Sequence, residues 1–404
     1  MEIPFICVLR IKKGEKIYEG LEVPSYDPSI VVIKLKNGYN VGFMREDVEI
    51  GRIGEGEKSP KAEIKEEPKQ INYEVSILGT GGTIASYVDY STGAVYPARS
   101  TSELLRFLPE LGGIVKARVL FSAFSENMGY QQWKRIAHEV KEELDSGAKG
   151  VVIAHGTDTM CYTASALAFM LPELSGPVIF TGAQRSTDRP SSDGFLNLLS
   201  SVKLALTDIG EVVIAMHAGP SDDAIAVHRA TRTRKMHTSA RGAFQSSKPL
   251  GYVYDDSINV EGYRKKGEET VIDTGMDEHV ALLYFYPGMS AELFESVAEK
   301  SSGIVIAGTG LGHVSEALVE SIKSCNKPVC MVSQCLNGGV NLNVYATGRK
   351  LLAAGVIPCA DMLPETAYVK LMWVLGHTHE PEEIKELMQR NIAGEIDGRR
   401  VYEG

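Results

Sequence analysis

From Tyr73 onward, short apolar runs alternate with amphipathic stretches along the chain. The helical stretches are exemplified by Trp133, Ile136, Val140 and Leu144, which recur at helical spacing and end before Gly147. The apolar runs predict strands at Glu74–Leu78, Gly150–Ala154, Pro177–Phe180, Glu211–Met216, Gly303–Ala307 and Pro328–Val332. Because strands and helices alternate, the pattern predicts parallel sheets in an α/β fold.

The first 54 residues have a different pattern, with short alternating runs and no helical spacing. Asn37-Gly38 stands between the runs Ile30–Leu35 and Tyr39–Phe43, which predicts a β-hairpin. We therefore predict a small all-β, barrel-like module over residues 1–54. The Lys-, Glu- and Pro-rich stretch 55–72 has too few apolar residues to build a core, so it predicts a linker.

The α/β pattern is interrupted around Tyr252–Thr274, where charged and polar residues cluster. This interruption predicts two α/β domains, over residues 73–255 and 276–404. A chain of 404 residues is too long for one ordinary core, which supports such a division.

Composition narrows the class of protein. The chain has 42 basic and 52 acidic residues and a formal net charge of −10, which argues against nucleic-acid binding over most of its surface. A local contact, or a basic partner chain, remains compatible with that charge. Neither a membrane span nor a secretory signal is expected from the apolar runs, and six scattered cysteines without a C-x-x-C pair favour reduced thiols in the cytoplasm.

A glycine-rich segment, Gly79-Thr80-Gly81-Gly82-Thr83, follows the first predicted α/β strand. It lacks the third glycine of a dinucleotide-binding fingerprint and the Gly-Lys-Ser/Thr of a P-loop. Its glycines allow a ligand to approach the backbone, and Thr83 adds a hydroxyl. Taken alone, the segment is also compatible with a tight strand-to-helix turn.

A second segment, His155-Gly156-Thr157-Asp158, follows the predicted strand Gly150–Ala154. Asp158 could simply cap the helix predicted over Thr159–Leu171. Ligands of parallel α/β sheets bind beyond the carboxyl ends of strands, so we expect Thr83 and Thr157 on one rim. A threonine hydroxyl needs a nearby base to act as a nucleophile.

The densest basic stretch, His228–His237, contains the candidate base Lys235. A solvated surface loop is the competing interpretation of such a charge run. The stretch follows the strand Glu211–Met216, however, so it leaves the sheet on the same rim. Crowded cations favour the neutral form of a lysine, which a base requires, and Asp158 is then expected to orient Lys235.

Other chemistries have weaker support. The chain has no Gly-x-Ser-x-Gly elbow, and Cys335 lacks the glycine two places before it that a sharp elbow favours, so we expect a structural cysteine. No further ligand is spaced to join His377 and His379, so no metal site is predicted.

The segments Ile77–Ala85 and Ala154–Met160 resemble the two signatures of the bacterial-type asparaginase/glutaminase family. The resemblance runs from about residue 73 to the end, and it implies an asparaginase-like, two-domain parallel-sheet body. The catalytic residues that it implies are Thr83, Thr157, Asp158 and Lys235.

Substrate contacts are predicted less directly. Tyr96 matches the tyrosine of the family's mobile flap, and Ser125 matches a substrate-binding serine. Glu126 stands where the family has glutamine, and the acidic residue that the family takes from a neighbouring protomer has no evident counterpart. Backbone N–H groups at Gly82 and Gly156 are candidates to hold a developing oxyanion.

Residues 1–70, which free asparaginases lack, and the segment Asn343–Gly376 resemble the asparaginase-like, D-type component of the archaeal Glu-tRNA(Gln) amidotransferases. That resemblance implies a glutaminase that acts on L-glutamine and passes ammonia to a second, E-type component, a kinase/transamidase. This partner would use ATP and Mg²⁺ and carry most of the contact with Glu-tRNA(Gln), while this chain binds no cofactor.

We further expect a homodimer core in the cytoplasm. The alternatives are a free-standing L-asparaginase with an accessory N-terminal domain, and a non-catalytic binding module that keeps the fold.

Overall fold

The computed structural model of the chain describes residues 7–23, 25, 27–35, 40–55, 73–82, 86–88, 95–97, 114–185 and 192–397. Three sheets dominate these residues: a five-stranded sheet formed by the N-terminal residues 7–55, called the front module below, an eight-stranded sheet and a four-stranded sheet. The remaining described strands form two short two-stranded ribbons.

The front module is an antiparallel sheet in the order β4-β3-β2-β1-β5. Its strands are β1 (Cys7–Lys13), β2 (Lys16–Val23), β3 (Ile30–Leu35), β4 (Asn40–Met44) and β5 (Glu49–Glu55). Alternate apolar residues, such as Leu9 with Ile11 and Val31 with Ile33, form its buried core with Phe43. The predicted all-β module is thereby confirmed.

Two details of the front module differ from the prediction or lie outside it. The fifth strand was not predicted, because Gly51 and Gly54 interrupt its apolar alternation. Asn37-Gly38 lies outside the described residues, although β3 and β4 on either side of it pair antiparallel, as a hairpin requires.

The eight-stranded sheet has the order β17-β16-β13-β12-β11-β10-β6-β9. Within this order, neighbours in the series β9, β6, β10, β11 and β12 pair in parallel. Neighbours in the series β12, β13, β16 and β17 pair antiparallel. The strands are β6 (Val75–Gly79), β9 (Val115–Val119), β10 (Gly150–Ala154), β11 (Val178–Thr181), β12 (Val212–His217), β13 (Ile225–Arg229), β16 (Gly251–Val253) and β17 (Ile258–Val260).

Helices cover both faces of this sheet. Val151 and Ile153 of β10 pack in one buried cluster with α1 (Tyr130–Asp145) and α2 (Met160–Met170). Val152 and Ala154 point the other way and pack with α3 (Gly194–Ala205). This two-sided burial explains why the strand is apolar at every position.

The four-stranded sheet is wholly parallel, in the order β18-β19-β20-β21. Its strands are β18 (Val280–Tyr284), β19 (Gly303–Gly308), β20 (Val329–Ser333) and β21 (Ile357–Pro358). Its helices are α4 (Ala291–Lys300), α5 (Glu316–Ser324), α6 (Ala346–Ala353), α7 (Pro364–Leu375) and α8 (Pro381–Gln389). The two ribbons pair β7 (Ser86–Val88) with β8 (Val95–Pro97), and β14 (Thr233–Lys235) with β15 (Phe244–Ser246).

Each of the six strands predicted from the apolar runs is present within one residue at either end. Gly147, predicted to end a helix, follows α1 with a φ of +102°, a conformation that glycine adopts readily. The parallel-sheet, two-domain α/β body is therefore confirmed. No helix within the described ranges combines the length and the apolar character needed to cross a membrane.

Candidate functional site

The two threonine motifs leave the eight-stranded sheet side by side. Strands β6 and β10 are parallel neighbours, and Gly79 at the end of one lies opposite Ala154 at the end of the other. The backbone N–H and the Oγ1 of Thr80 both donate to the carbonyl of Ala154, at 3.0 and 3.1 Å. The shared rim that the strand ends predicted is thus present.

Glycines allow three loops to meet at this rim. Gly82 has a φ of +85°, and a Cβ there would lie 2.5 Å from the Cα of Gly156. A Cβ on Gly156 would in turn lie 2.7 Å from the Cβ of Ser125. Since such distances are far shorter than a van der Waals contact, any side chain at either glycine would force the loops apart.

Lys235 contacts both Thr157 and Asp158. Its Nζ lies 2.9 Å from Thr157 Oγ1 and 2.7 Å from Asp158 Oδ1. Thr157 is 8% exposed and the lysine side chain 11%, whereas the Asp158 side chain is 70% exposed. The hydroxyl and the amine are therefore shielded together, with the carboxylate on the solvent side.

Asp158 does not cap the following helix. The N-cap of α2 is Thr159, whose side chain makes no capping hydrogen bond, and the carboxylate of Asp158 accepts from Lys235 instead. Of the two roles considered for Asp158, the geometry matches orientation of a lysine.

The structure describes the remaining predicted site residues to different extents. Thr83 lies outside the described residues, immediately after Gly82, and Tyr96 is described only through its backbone in β8. Ser125 is buried beside Gly156, and Glu126, next to it in a short 3₁₀ turn, is exposed.

The basic stretch around Lys235 is neither a solvated loop nor a cluster of unpaired cations. The guanidinium of Arg232 bonds Asp361 at 2.7 Å and Asp397 at 2.9 Å, and that of Arg234 bonds Glu365 at 2.9 Å. These carboxylates belong to the second α/β domain. The expectation of crowded, unpaired positive charge around Lys235 is therefore corrected, because its neighbouring arginines are paired and point away.

His155 is fully buried beside the site. One ring nitrogen, Nδ1, lies 2.7 Å from the carbonyl oxygen of Gly156, and Nε2 has no hydrogen-bond partner among the described residues. A carbonyl can only accept, so Nδ1 carries the proton and Nε2 is a bare acceptor. Burial lowers the pKa of His155 from 6.5 to about 4, which keeps the ring neutral at pH 7.

We predict that this protein loses stability as the pH falls from about 6.5 towards 4. Burial lowers the pKa of His228, like that of His155, to about 4, so the unfolded chain binds protons in this window that the folded chain does not. Each histidine should remove about 3 kcal/mol of unfolding free energy across the window. Urea denaturation at about pH 7 and pH 4.5 measures the loss.

His228→Asn isolates the contribution of one ring, since asparagine can keep the contact that His228 Nδ1 makes with Ser246 Oγ at 2.8 Å. The variant should be less sensitive to acid than the wild type, and His138→Gln, at an exposed position, should not. Equal acid sensitivity in all three proteins would contradict the prediction.

Other candidate chemistry finds no support in the described part of the chain. No group of three or more His, Cys, Asp or Glu residues there could hold a metal ion. Cys335 is exposed, whereas Cys161, Cys330 and Cys359 are buried, and all four are free thiols.

Sequence reasoning did not find the carboxylates that hold the basic stretch in place. Glu365 and Asp361 lie more than 120 residues beyond it, and nothing in the local pattern links them. The one signal in the sequence was the alternation Arg232-Thr233-Arg234-Lys235. Because successive residues of a strand point to opposite faces, it indicates that Arg234 and Lys235 have different surroundings.

Three family models match the chain. "GatD N-terminal domain" matches residues 5–53, "Asparaginase, N-terminal" matches residues 74–266, and "Glutaminase/Asparaginase C-terminal domain" matches residues 279–388. Together they account for the front module and both parts of the α/β body.

Solved structures of L-asparaginases share the α/β body. The thermostable L-asparaginase from Thermococcus kodakarensis is 36% identical, with a TM-score of 0.74, and the match covers 80% of this chain and 99% of that one. L-asparaginase I from Vibrio cholerae is 29% identical, with a TM-score of 0.69, over 81% of this chain and all of that one. Each leaves about a fifth of this chain unmatched.

Relatives that match nearly the whole chain have a different name. The D-type component of the glutamyl-tRNA(Gln) amidotransferase of Pyrococcus furiosus is 51% identical over 97% of this chain and 94% of its own length. The corresponding protein of Saccharolobus solfataricus is 49% identical over 98% of this chain and 93% of its own. With its front module, its asparaginase-type body and this extent of identity, the chain belongs to the GatD family, the D-type components of glutamyl-tRNA(Gln) amidotransferase.

Proposed function

We propose that this protein is the glutaminase component of a tRNA-dependent amidotransferase that converts Glu-tRNA(Gln) to Gln-tRNA(Gln). The observation that carries the amide chemistry is the contact of Lys235 Nζ with both Thr157 Oγ1 and Asp158 Oδ1. Membership of the GatD family supports the tRNA-dependent role.

In the proposed reaction, the Oγ1 of Thr83 attacks the side-chain amide carbon of L-glutamine. The amide nitrogen takes up a proton and leaves as ammonia, and a glutamyl ester remains on Thr83. Water then attacks the ester and releases glutamate. Lys235, Thr157 and Asp158 move protons in both halves, and backbone N–H groups around Gly82 and Gly156 hold the oxyanion.

Residues at the same rim of the sheet are proposed to contact the substrate. Ser125, buried against Gly156, and the exposed Glu126 beside it are proposed to contact the α-amino or carboxylate end of glutamine. Tyr96 is proposed to close over the substrate from the β7–β8 ribbon. No metal or cofactor is assigned to this chain.

The ammonia is proposed to pass to a partner chain of the E type, a kinase/transamidase. That partner would use ATP and Mg²⁺ to activate the glutamyl group of Glu-tRNA(Gln), and would make most of the contact with tRNA. A net charge of −10 on this chain suits that division of labour. A homodimer of this chain in the cytoplasm is proposed as the core of the assembly.

Covalent labelling of the attacking hydroxyl provides the direct test of its assignment. A diazo-ketone analogue of glutamine should label the protein at Thr83, as read by mass-spectrometric mapping with fragmentation that separates Thr80 from Thr83. Thr83→Val should abolish the labelling. A label on Thr157 would overturn the assignment of the nucleophile.

A second measurement separates the proposed role from that of a free-standing L-asparaginase. Ammonia release should increase when the E-type partner and Glu-tRNA(Gln) are added to the chain. Full hydrolytic activity of the chain alone, unchanged by either addition, would favour the asparaginase instead.

A further inference from the structure

Lys235 is held by a very short element. It ends β14, which among the described strands pairs only with β15, in a two-stranded ribbon outside the eight-stranded sheet. A two-stranded ribbon is marginally stable by itself, so its position depends on what it packs against. Adjacent strand residues point to opposite faces, and Arg234 therefore faces away from the site that Lys235 enters.

Arg234 is fixed to the second α/β domain by a forked contact. Its Nε lies 2.9 Å from Glu365 Oε1, and its Nη2 lies 2.9 Å from Glu365 Oε2. The same guanidinium reaches the hydroxyl of Tyr284 at 3.2 Å and the carbonyl of Gln334 at 3.2 Å. A bidentate contact of this kind fixes direction as well as distance.

Glu365 lies in the first turn of α7, and α7 also holds the other side of the site. The rings of Phe169 in α2 and Trp373 in α7 stack with centroids 6.2 Å apart, and Ser165 Oγ lies 3.3 Å from Thr366 Oγ1. Helix α2 begins two residues after Asp158. One helix of the second domain therefore contacts both the ribbon that carries Lys235 and the helix that follows Thr157.

We propose that Arg234 and Glu365 are positioning residues that fix Lys235 against Thr157, so that the second α/β domain completes the amide-hydrolysing site. The proposal rests on the proposed function, because it requires Lys235 to take part in the reaction. A displacement of about 1 Å at a reacting group can cost roughly 100-fold in rate, so loss of the fork should reduce turnover without removing any catalytic group.

The chain contains a matched control pair in the first domain. Arg229 Nε and Nη2 contact the two carboxylate oxygens of Glu211 at 2.6 and 3.0 Å, in the same forked arrangement. The side chains of Arg229 and Glu211 are 21% and 5% exposed, close to the 13% and 10% of Arg234 and Glu365. The control pair joins β13 to the residue before β12. Arg229 also packs against Gly394 of the second domain, but among the described residues the pair makes no hydrogen bond or ion pair with helix α7.

The test compares Glu365→Gln, Glu365→Asp and Glu211→Gln in the full-length chain, in the complex in which it is purified. With glutamine as substrate, Glu365→Gln should lower kcat per folded chain by roughly 10- to 100-fold and change KM by less than about threefold. Glu211→Gln should keep kcat within about twofold of the wild type, even if its Tm falls as much as that of Glu365→Gln. Glu365→Asp keeps the negative charge, so its Tm should recover relative to Glu365→Gln. Its side chain is shorter and cannot form the same fork with Arg234, so its kcat should stay low.

Two results would overturn the proposal: a Glu365→Gln kcat within about twofold of that of Glu211→Gln, or recovery of Tm and kcat together in Glu365→Asp. If Glu365→Gln does not fold, the aspartate variant decides alone by its kcat per folded chain. Lys235→Met is measured in parallel. Full activity of that variant would refute the proposed function itself, whereas its inactivity beside an active Glu365→Gln would refute only the positioning role.

Discussion

Replacing Lys235 with methionine is expected to lower the kcat for glutamine hydrolysis by roughly 100- to 10,000-fold, because general acid–base catalysis contributes about 10²- to 10⁴-fold. Methionine has a similar length and fills the same largely buried space, so the fold should persist. It has no amine, however, so Thr157 Oγ1 loses the contact at 2.9 Å through which a proton can move. Ammonia release measures the loss, and circular dichroism verifies the fold.

Lys248→Met is the matched control, since Lys248 is exposed and lies outside the site. It should retain wild-type kcat. If Lys235→Met keeps more than about a tenth of the wild-type rate, a role for Lys235 in proton transfer is untenable, because even the low end of acid–base catalysis exceeds that factor.

Among single substitutions, the largest loss of stability is expected at an ion pair buried inside the second α/β domain. Lys370 of α7 and Glu395 form a salt bridge in which both side chains are 0% exposed. Glu395 also accepts the backbone N–H groups of Ile392 and Ala393, and Lys370 Nζ donates to the carbonyl of Met388. Burial lowers the pKa of Lys370, although the Glu395 carboxylate opposes that shift.

Lys370→Met should therefore lower the free energy of unfolding by about 3–5 kcal/mol, because it leaves the Glu395 carboxylate buried without a counter-charge. Adding Glu395→Gln should recover most of the loss, since glutamine is neutral and its oxygen can still accept backbone N–H groups. Urea denaturation of the single and double variants measures both effects.

An exposed ion pair provides the comparison for this prediction. Lys350 Nζ lies 2.8 Å from Glu316 Oε1 on the surface of the same domain. Lys350→Met should leave the free energy of unfolding nearly unchanged, because an exposed ion pair is screened by water. Equal losses in Lys370→Met and Lys350→Met would show that burial does not set the cost.

The sequence predicted the strands of the body closely, and the physical reason is their burial. Val151 and Ile153 pack on one face of the sheet while Val152 and Ala154 pack on the other, so the whole strand must be apolar. A pattern with one dominant physical cause can be read directly from the chain. Strand β5 was missed because its glycines break that pattern.

The sequence also placed the two threonine motifs on one rim, since the carboxyl ends of parallel strands share an edge of the sheet. It did not reveal how the basic stretch is used. Arg234 and Glu365 are 131 residues apart, and a run of cations carries no information about which distant carboxylates will meet it. Neutralisation of the arginines by the second domain is a property of the packed structure.

The sequence predicted the amine of Lys235 on the rim directly beyond Glu211–Met216. It missed β13, which runs antiparallel to β12 and ends with Arg229 opposite Val213, away from that rim. It did determine which strands precede the other groups: a hydroxyl follows β6, and a hydroxyl and a carboxylate follow β10. Local periodicity and strand-end geometry are sufficient for that. Only the tertiary structure decided that Asp158 meets Lys235 and does not cap α2, and that helix α7 contacts both sides of the Lys235–Thr157 contact. Those outcomes depend on contacts between residues distant in the chain, which are fixed only when the two α/β domains pack together.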